Sequence, residues 1–309
     1  MYYAAMHGFT LRQLEYLLAA VDAGSVAGAA ARLNVSQPTI SVALAKMEAQ
    51  LGVQLLLRQH AQGVTPTASA RAILPAARSL LAHADELARA ARDAGAGLAG
   101  ELTIGAVSTL APLVLPALIA RLGRDYPDLR LAVRDGSQAA MLAALEAGAV
   151  DMVLLYEIDL PESVAPRLLA TPEPYALLPE SHALAGAAEV SLSDLASEPL
   201  ILLDMPPSRE WFLGLFRAAG LHPNVAHTSP SMELVRGMVG QGLGYSVLVT
   251  RPRHDRTYDG RRVVARPLRD SPVAGRVVLG HLRGHRQTRL MQVFAAAAEA
   301  QFAQVSERG

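Results

Sequence analysis

Apolar residues recur with helical spacing at the start of the chain. Between Thr10 and Gly24 they fall three or four positions apart, which predicts an amphipathic helix with one buried stripe. Thr10 and Gln13 have the spacing of a capping box, and Gly24 is suited to end the helix. The predicted stripe consists of Leu11, Leu14, Leu17, Leu18 and Val21.

Two further helices are predicted after Gly24, separated by a tight turn. The first spans roughly 26–33, is capped by Ser25, and carries small alanines that permit close packing. Asn34 tolerates the left-handed backbone that a tight turn requires. Ser36 then caps a third helix, which accepts Pro38 because first-turn N–H groups have no partner within the helix. The predicted buried face of this third helix is Ile40, Leu44, Met47 and Leu51.

The third helix carries polar side chains on its other face. Gln37, Thr39, Ser41 and Lys46 are predicted to point outward. An amide and two hydroxyls at the positive end of a helix suit base edges and phosphates. The pattern fits a helix-turn-helix DNA-binding element and also an ordinary capped helix with a polar face. The net charge is zero and the isoelectric point is about 7.2, so bulk charge does not favour nucleic acid.

This segment resembles the N-terminal sequence of LysR-type transcriptional regulators. The matching stretches are Leu11-Arg-Gln-Leu-Glu-Tyr16, Gly24-Ser25, Ala29-Ala-Ala-Arg-Leu33, Val35-Ser-Gln-Pro38, Ser41, and Glu48 with Leu51-Gly-Val53. The resemblance implies a winged helix-turn-helix whose third helix enters the major groove, with the wing at Leu55–Thr67. The groove contacts that it implies are Gln37, Pro38, Thr39 and Ser41, and the implied contacts to the DNA backbone are Arg32 and Arg58. Ser36 and Lys46 are further candidate DNA contacts.

Three residues depart from the pattern of that family. Val26 and Leu56 stand where aromatic residues are usual, which changes the volume of the core. Ala70 stands where a glycine usually precedes Arg71, which leaves the junction between the wing and the next helix open.

A long alanine-rich helix is predicted from Thr67 to Ala94, and Pro75 is expected to kink it or delay its start. Its apolar residues are spaced four and three apart in turn, as in a coiled-coil seam. Such a seam can pack on its own domain, but its regularity favours pairing with a second chain, as in the linker helix of the resembled family. A glycine-rich hinge follows at 95–100. The seam consists of Ile73, Ala77, Leu80, Ala84, Leu87 and Ala91.

From Glu101 onward, apolar strands alternate with helices. This alternation is typical of parallel sheets covered on both faces, here in two lobes with a cleft between them. The arrangement resembles the type 2 periplasmic binding fold that LysR-type regulators carry as an effector domain, most clearly at Ser231–Val235 and Gly240–Ser246. The predicted strands are 102–106, 129–135, 151–155, 173–179, 200–203, 224–228, 245–248 and 276–282, and the predicted helices are 112–126, 138–147, 208–219, 232–241 and 288–305.

Hydroxyl residues follow several of these strands. Ser108 and Thr109 lie between a strand and a helix, where open α/β sheets bind ligands and helix N-termini favour anions. We interpret them as donors to a carboxylate, with a plain helix cap as the alternative. Arg209 is the nearest candidate cation. The candidate effector contacts are Ser108, Thr109, Ser137, Leu203, Pro207, Ser208, Ser229, Ser231 and Gly242.

Nothing in the sequence supports an enzyme or a metal protein. The chain has no cysteine, which excludes disulfides, thiolate nucleophiles and Cys-ligated zinc. Gly240-Gln-Gly-Leu-Gly244 only superficially resembles a dinucleotide loop, since it follows a predicted helix and precedes a strand. His281 and His285 do not share a helical face. No cofactor, metal, secretory signal or membrane span is predicted.

The sequence therefore predicts an α/β protein with an all-α N-terminal part. The expected domains are a winged helix-turn-helix at 1–66, a linker helix and hinge at 67–99, and an effector-binding domain at 100–309, whose lobe I is 100–165 with 269–309 and whose lobe II is 166–268.

The functional hypothesis is a cytoplasmic LysR-type regulator that binds promoter DNA as a homodimer or homotetramer and is switched by a small molecule. RNA polymerase is a further candidate partner. The alternative is a cytoplasmic solute-binding module whose N-terminal region serves only assembly. Salt-dependent DNA binding would separate the two hypotheses.

Overall fold

Backbone contacts in the computed structural model divide the chain into two compact units. The structure describes residues 9–59, 63–92, 98–269 and 274–306. The first unit comprises Met1–Gly97, Ala144–Ala149 and Gly284–Leu290, and the second comprises Leu98–Ala143, Val150–Arg283 and Met291–Gly309.

The first unit contains the predicted helices and an antiparallel hairpin. Its elements are α1 (Leu11–Ala23), α2 (Val26–Leu33), α3 (Gln37–Leu51), β1 (Leu56–Gln59), β2 (Gly63–Pro66) and α4 (Ala68–Arg92). The hairpin β1–β2 occupies the predicted wing. The capping box of Thr10 and Gln13 is present, and Asn34 is left-handed with φ 56°. The predicted helix boundaries are thus confirmed to within a residue or two.

The core of the first unit lies where the three helices meet. Leu14, Leu17, Ile40, Leu44 and Met47 are almost completely buried, as the helical spacing predicted. Such burial of large apolar side chains is the main source of stability, at about 1.5–3 kcal/mol for each. The departures from the family pattern at Val26 and Leu56 also lie in this core.

The prediction that Leu11 belongs to the buried stripe of α1 is wrong. Leu11 has an exposed fraction of 45%. It stands at the first position of α1, where the helix has just begun and the rest of the core lies further along.

Thr67 defines the junction between the wing and α4. Its Oγ1 accepts a hydrogen bond from the Ala70 N–H at 3.1 Å and donates one to the Gln54 carbonyl at 2.8 Å. Ala70 is fully buried. The helix begins at Ala68 and includes Pro75 in its interior. Of the two expected effects of Pro75, a late start is therefore excluded, and a kink stays a prediction. Residues 95–97 of the glycine-rich hinge fall outside the described residues.

The second unit contains two α/β lobes. Lobe I has β3 (Gly100–Val107), α5 (Ala111–Asp125), β4 (Leu129–Gly136), α6 (Gln138–Glu146), β5 (Met152–Tyr156), β6 (Val164–Ala170), β12 (Val277–Leu282) and α10 (Arg289–Ser306). Lobe II has β7 (Tyr175–Pro179), a 3-10 turn (Ala183–Gly186), α7 (Leu192–Leu195), β8 (Pro199–Leu203), α8 (Ser208–Ala218), β9 (Asn224–Ser229), α9 (Met232–Gly240), β10 (Ser246–Leu248) and β11 (Val263–Pro267).

The expectation of parallel sheets is confirmed for β3 with β4 and β5 and is wrong for the other strand pairs of lobe I. The sheet of lobe I has the order β4-β3-β5-β12-β6, and β12 runs antiparallel to both of its neighbours. In lobe II, β8 and β9 are parallel, whereas β7 pairs antiparallel with β10 and β11. Two strands, β6 and β11, were not predicted. Both contain proline, which interrupts the pattern typical of strands.

A close backbone approach joins the two sheet segments of lobe II. The Tyr245 N–H donates to the Pro199 carbonyl at 3.0 Å, and the Ile201 N–H donates to the Tyr245 carbonyl at 2.7 Å. Gly244 precedes Tyr245 with φ 151°, and a Cβ there would lie 2.1 Å from the Pro199 carbonyl oxygen. The glycine-rich segment is therefore the tight turn after α9 that the sequence favoured over a phosphate loop.

Candidate DNA-binding and effector-binding sites

The N-terminus of α3 presents a polar tip. Ser36 is the N-cap, and its Oγ accepts a hydrogen bond from the Thr39 N–H at 3.3 Å. Gln37, Pro38 and Thr39 are exposed, while Ile40 is fully buried. The cap fixes the backbone of the tip and the buried face fixes its orientation. The tip is thus rigid and accessible, which direct contact with base edges requires.

The accessible face continues along α3. Ser41 is half-buried and Lys46 is exposed. Val42, which the sequence interpretation missed, has an exposed fraction of 69%. An exposed apolar side chain beside amides and hydroxyls suits contact with thymine methyl groups. Its position off the apolar stripe of α3 was the signal that could have identified it.

The structure describes the side chain of only one of the two arginines that are predicted to contact the DNA backbone. Arg32 is exposed and lies 3.8 Å from the Asp22 carboxylate, which also pairs with Arg78 at 2.5 Å. Exposed pairs of this kind contribute about 0–1 kcal/mol, so Arg32 can exchange Asp22 for phosphate. Arg58 lies in β1 opposite Val64, and its side chain is outside the described part of the chain.

A cavity lies at the carboxyl ends of strands from both lobes of the second unit. Ligands of open α/β sheets bind at such strand ends. The larger part has a volume of about 100 Å³, and a smaller inner part has about 10 Å³. The larger part is lined by Tyr156, Glu157, Ile158, Ser208, Trp211, Phe212, Val249, Ala274, Gly275 and Arg276. Residues that line only the inner part are Thr109, Leu203, Met232, Leu248 and Thr250.

A chain of three hydroxyls closes the inner part of the cavity. The Tyr156 hydroxyl lies 3.1 Å from Thr109 Oγ1 and also hydrogen-bonds Thr250 Oγ1. Thr109 and Tyr156 belong to lobe I and Thr250 to lobe II, so the chain connects the lobes. Burial raises the pKa of the Tyr156 phenol, and its two hydrogen bonds offset only part of that effect. Tyr156 is therefore neutral at physiological pH.

The structure brings only some of the predicted effector residues together. Thr109, Leu203 and Ser208 line the cavity. Pro207 is the N-cap of α8, next to Ser208, but does not line the cavity. Ser108 donates to the Asp135 carboxylate at 2.9 Å.

Four other predicted residues serve local structure. Ser137 accepts from the Ala140 N–H at the start of α6, and Ser231 caps α9. Ser229 accepts from the Ser231 N–H at 3.1 Å. Gly242 forms the turn after α9 with φ 79°. The plain capping interpretation therefore accounts for Ser137 and Ser231.

The sequence interpretation missed an aromatic pair and an ion pair that line the cavity. Trp211 and Phe212 form an edge-to-face pair with ring centroids 5.2 Å apart. Arg276 Nε donates to the Glu157 carboxylate at 2.5 Å. Arg209, the cation proposed from the sequence, pairs instead with Asp204 at 2.9 Å. Glu157 and Arg276 are far apart in sequence, so no local pattern signals their meeting.

No group of three or more metal-ligating side chains occurs among the described residues. No single helix in the same ranges is long and apolar enough to cross a membrane, and only the bent pair α1 and α2, taken together, meets those criteria.

Known families match both units. The profile of the bacterial regulatory helix-turn-helix protein, lysR family, matches residues 11–71. The profile of the LysR substrate binding domain matches residues 95–303, which is more than half of the chain. The chain belongs to the LysR family. The resemblance of the α3 segment and the two-lobed fold expected from the sequence are thereby confirmed.

Individual members of the LysR family align over most of the chain. The uncharacterized HTH-type transcriptional regulator YnfL of Escherichia coli is 34% identical over 77% of this chain and 81% of its own length. The LysR family transcriptional regulator HinK of Pseudomonas aeruginosa is 41% identical, with a TM-score of 0.64 over 95% of this chain and 99% of HinK. A full-length OxyR variant from Pseudomonas aeruginosa is 27% identical, with a TM-score of 0.74 over 95% and 98% of the two chains.

This LysR-type protein is a DNA-binding transcriptional regulator controlled by effector binding. Its helix-turn-helix domain is the DNA-binding domain of that family. Its relatives are transcriptional regulators and not enzymes. The alternative of a solute-binding module that uses its N-terminal region only for assembly is not favoured.

Proposed function

We propose that the polar tip of α3 reads the operator of this LysR-type regulator in the major groove. The observation that carries the proposal is the exposure of Gln37, Pro38 and Thr39 on a helix whose other face is buried through Ile40, Leu44 and Met47. Gln37 is suited to a bidentate contact with adenine. The hydroxyls of Thr39 and Ser41 add donors and acceptors for bases or phosphates.

The remaining DNA contacts are proposed to be electrostatic. Lys46 and Arg32 are exposed, and Arg58 lies in the wing, where a cation would meet the phosphate backbone. Ser36 contributes mainly by holding the helix N-terminus, whose N–H groups favour phosphate. Such contacts add affinity without sequence preference, so they would make binding salt-dependent.

Replacing Gln37 by alanine is expected to weaken operator binding about 10- to 100-fold, because one bidentate base contact contributes about 1–3 kcal/mol. Footprinting and titration on the promoter region beside the protein's own gene would measure this. Gln50→Ala is the matched control, since Gln50 is an exposed glutamine near the other end of α3. Equal losses in the two variants, or the absence of any wild-type footprint, would contradict the proposal.

The effector is proposed to bind in the cavity between the lobes and to be a small molecule that carries a carboxylate. Bound there, it would change how the lobes close and thereby how paired DNA-binding domains are spaced. Other relatives are named hydrogen peroxide-inducible genes activators. This chain has no cysteine, so thiol oxidation is not available to it. A reversibly bound ligand is the switch that its residues support.

Assembly is proposed to involve pairing of α4 between two chains, in a homodimer or a tetramer of such pairs. Leu80 and Leu87 are exposed on one face of α4, with exposed fractions of 45% and 73%. Ile73 and Ala77 pack in the core of their own unit, Ala84 is half-buried, and the side chain of Ala91 is outside the described residues. The available seam is therefore the later part of the helix.

The cytoplasm as the cell compartment and RNA polymerase as a partner are both proposed from the role in binding promoter DNA. A bacterial regulator that binds promoter DNA works in the cytoplasm. RNA polymerase at the same promoter is the candidate partner whose access the regulator would alter.

A further inference from the structure

We infer that the cavity binds a small aromatic carboxylate, with its ring against Trp211 and Phe212 and its carboxylate on Arg276. The inference rests on the proposed location of the effector and adds the chemical class of that effector. It also assigns Arg276 as the residue that determines specificity.

The larger part of the cavity suits an aromatic ring. Trp211 and Phe212 lie in the first turns of α8, pack edge to face against each other and line this part of the cavity. Ile158 and Val249 line the same space. Aromatic rings gain from offset and edge-to-face contacts beyond the burial of area. The volume of about 100 Å³ leaves room for one ring at most, since a cavity of roughly 150 Å³ binds benzene.

Arg276 supplies the cation for a carboxylate. A guanidinium has five N–H donors. Among the described residues, the side chain of Glu157 is the only acceptor for this guanidinium, and it engages Nε. The Glu157 N–H also donates to the Arg276 carbonyl at 2.8 Å, so the two residues are held together through backbone and side chain. The remaining donors of Arg276 can bind a second carboxylate in a bidentate fork.

The inner part of the cavity does not offer a comparable place for the carboxylate. Its volume of about 10 Å³ holds at most one water molecule. Thr109, Tyr156 and Thr250 already bond one another there. A carboxylate at these hydroxyls would have to break that chain, whereas the Arg276 guanidinium has donors besides the Nε that engages Glu157. The carboxylate position first proposed at Ser108 and Thr109 therefore moves to Arg276.

The start of α8 adds to the preference for an anion. Ser208, the first residue of α8, lines both parts of the cavity. The N-cap Pro207 makes no side-chain cap hydrogen bond. The partial positive charge of this helix end lies beside the cavity and favours a negative ligand group, although the Glu210 carboxylate lies in the same turn.

Two variants that change the charge of the cavity test whether the ligand is an anion. Isothermal titration calorimetry of the full-length protein would use benzoate and its three monohydroxy derivatives as probes, with benzamide and acetate for comparison. Arg276→Gln is expected to weaken binding of the aromatic acid about 10- to 100-fold and to leave benzamide unchanged. Glu157→Gln keeps an acceptor for Arg276 Nε and removes a negative charge, so it is expected to tighten binding severalfold.

Arg262→Gln is the matched control. Arg262 is also about half exposed and pairs with Glu180 at 2.6 Å, but it does not line the cavity. This variant is expected to bind the acids as the wild type does. Operator binding by each variant would show that it is folded.

Opposite results would overturn the inference. It fails if Arg276→Gln binds the aromatic acids like the wild type, if Glu157→Gln weakens them, or if none of the acids binds wild-type protein that still binds its operator. Acetate binding as tightly as benzoate would overturn the aromatic part. Loss of operator binding by the wild type would instead contradict the proposed function, so the two failures are distinguishable.

Discussion

Replacing Gly244 by alanine is expected to lower the free energy of unfolding by roughly 3 kcal/mol, at the large end of single-substitution effects. The added Cβ would lie 2.1 Å from the Pro199 carbonyl oxygen, and the φ of 151° is one that residues with side chains rarely adopt. Relieving the clash would separate the backbone of Tyr245 from β8 and break the hydrogen bonds between them. Urea unfolding followed by circular dichroism would measure the loss.

Gly237→Ala provides the control for this substitution. Gly237 lies within α9, and a Cβ there would meet no atom within 4 Å. Alanine is the better helix former, so this change is expected to stabilise the protein by about 0.5–1 kcal/mol. If Gly244→Ala unfolds at the wild-type urea concentration, the close approach at Pro199 is not a determinant of the fold.

The combined substitutions Leu80→Asp and Leu87→Asp are expected to dissociate the assembly, raising the dissociation constant at least a thousandfold, by rough estimate. Each leucine buried in a pair of α4 helices contributes about 1.5–3 kcal/mol, and a pair of chains would bury four. The new carboxylates would also be desolvated. Light scattering over a range of concentrations would measure the molar mass.

Leu243→Asp is the control for the assembly experiment. Leu243 has an exposed fraction of 47%, similar to that of Leu80, but lies in the turn after α9. Its replacement is expected to leave the molar mass unchanged. An unchanged mass in the α4 variant would contradict the proposed pairing. Dissociation should also weaken operator binding, because two linked DNA-binding domains bind more tightly than one.

The N-terminal elements could be predicted because their determinants are local. Thr10, Ser25 and Ser36 each bond backbone N–H groups within three residues, and Asn34 adopts the turn conformation by itself. The same holds for the buried face of α3, where helical spacing alone selects Ile40. Such short-range patterns were also sufficient to recognise the family.

The direction of each strand and the neighbours with which it pairs could not be predicted from the same kind of pattern. The apolar run of β12 looks like that of any buried strand, yet its partners are β5 and β6 in antiparallel orientation. Periodicity reports which side chains are buried and not which strand lies beside them. Proline in β6 and β11 further obscured their patterns.

Part of the candidate effector site could be predicted from the sequence, and part of it could not. The rule that ligands bind at strand ends identified Thr109 and Ser208 from the sequence. Trp211 and Arg276 were missed because their roles depend on which segments meet across the cavity. Arg276 contacts Glu157 only because the chain returns to lobe I as β12 next to β5.

The sequence by itself determined the polar tip of α3, the helix boundaries of the first unit, the alternation of strands and helices, and the absence of thiol chemistry. Each depends on residue identity or on spacing within a few positions. Only the tertiary structure decided the strand order, the need for glycine at 244, the packing of Ile73 and Ala77 in their own core, and the pairing of Glu157 with Arg276. These depend on contacts between distant segments, which packing selects and local sequence does not encode.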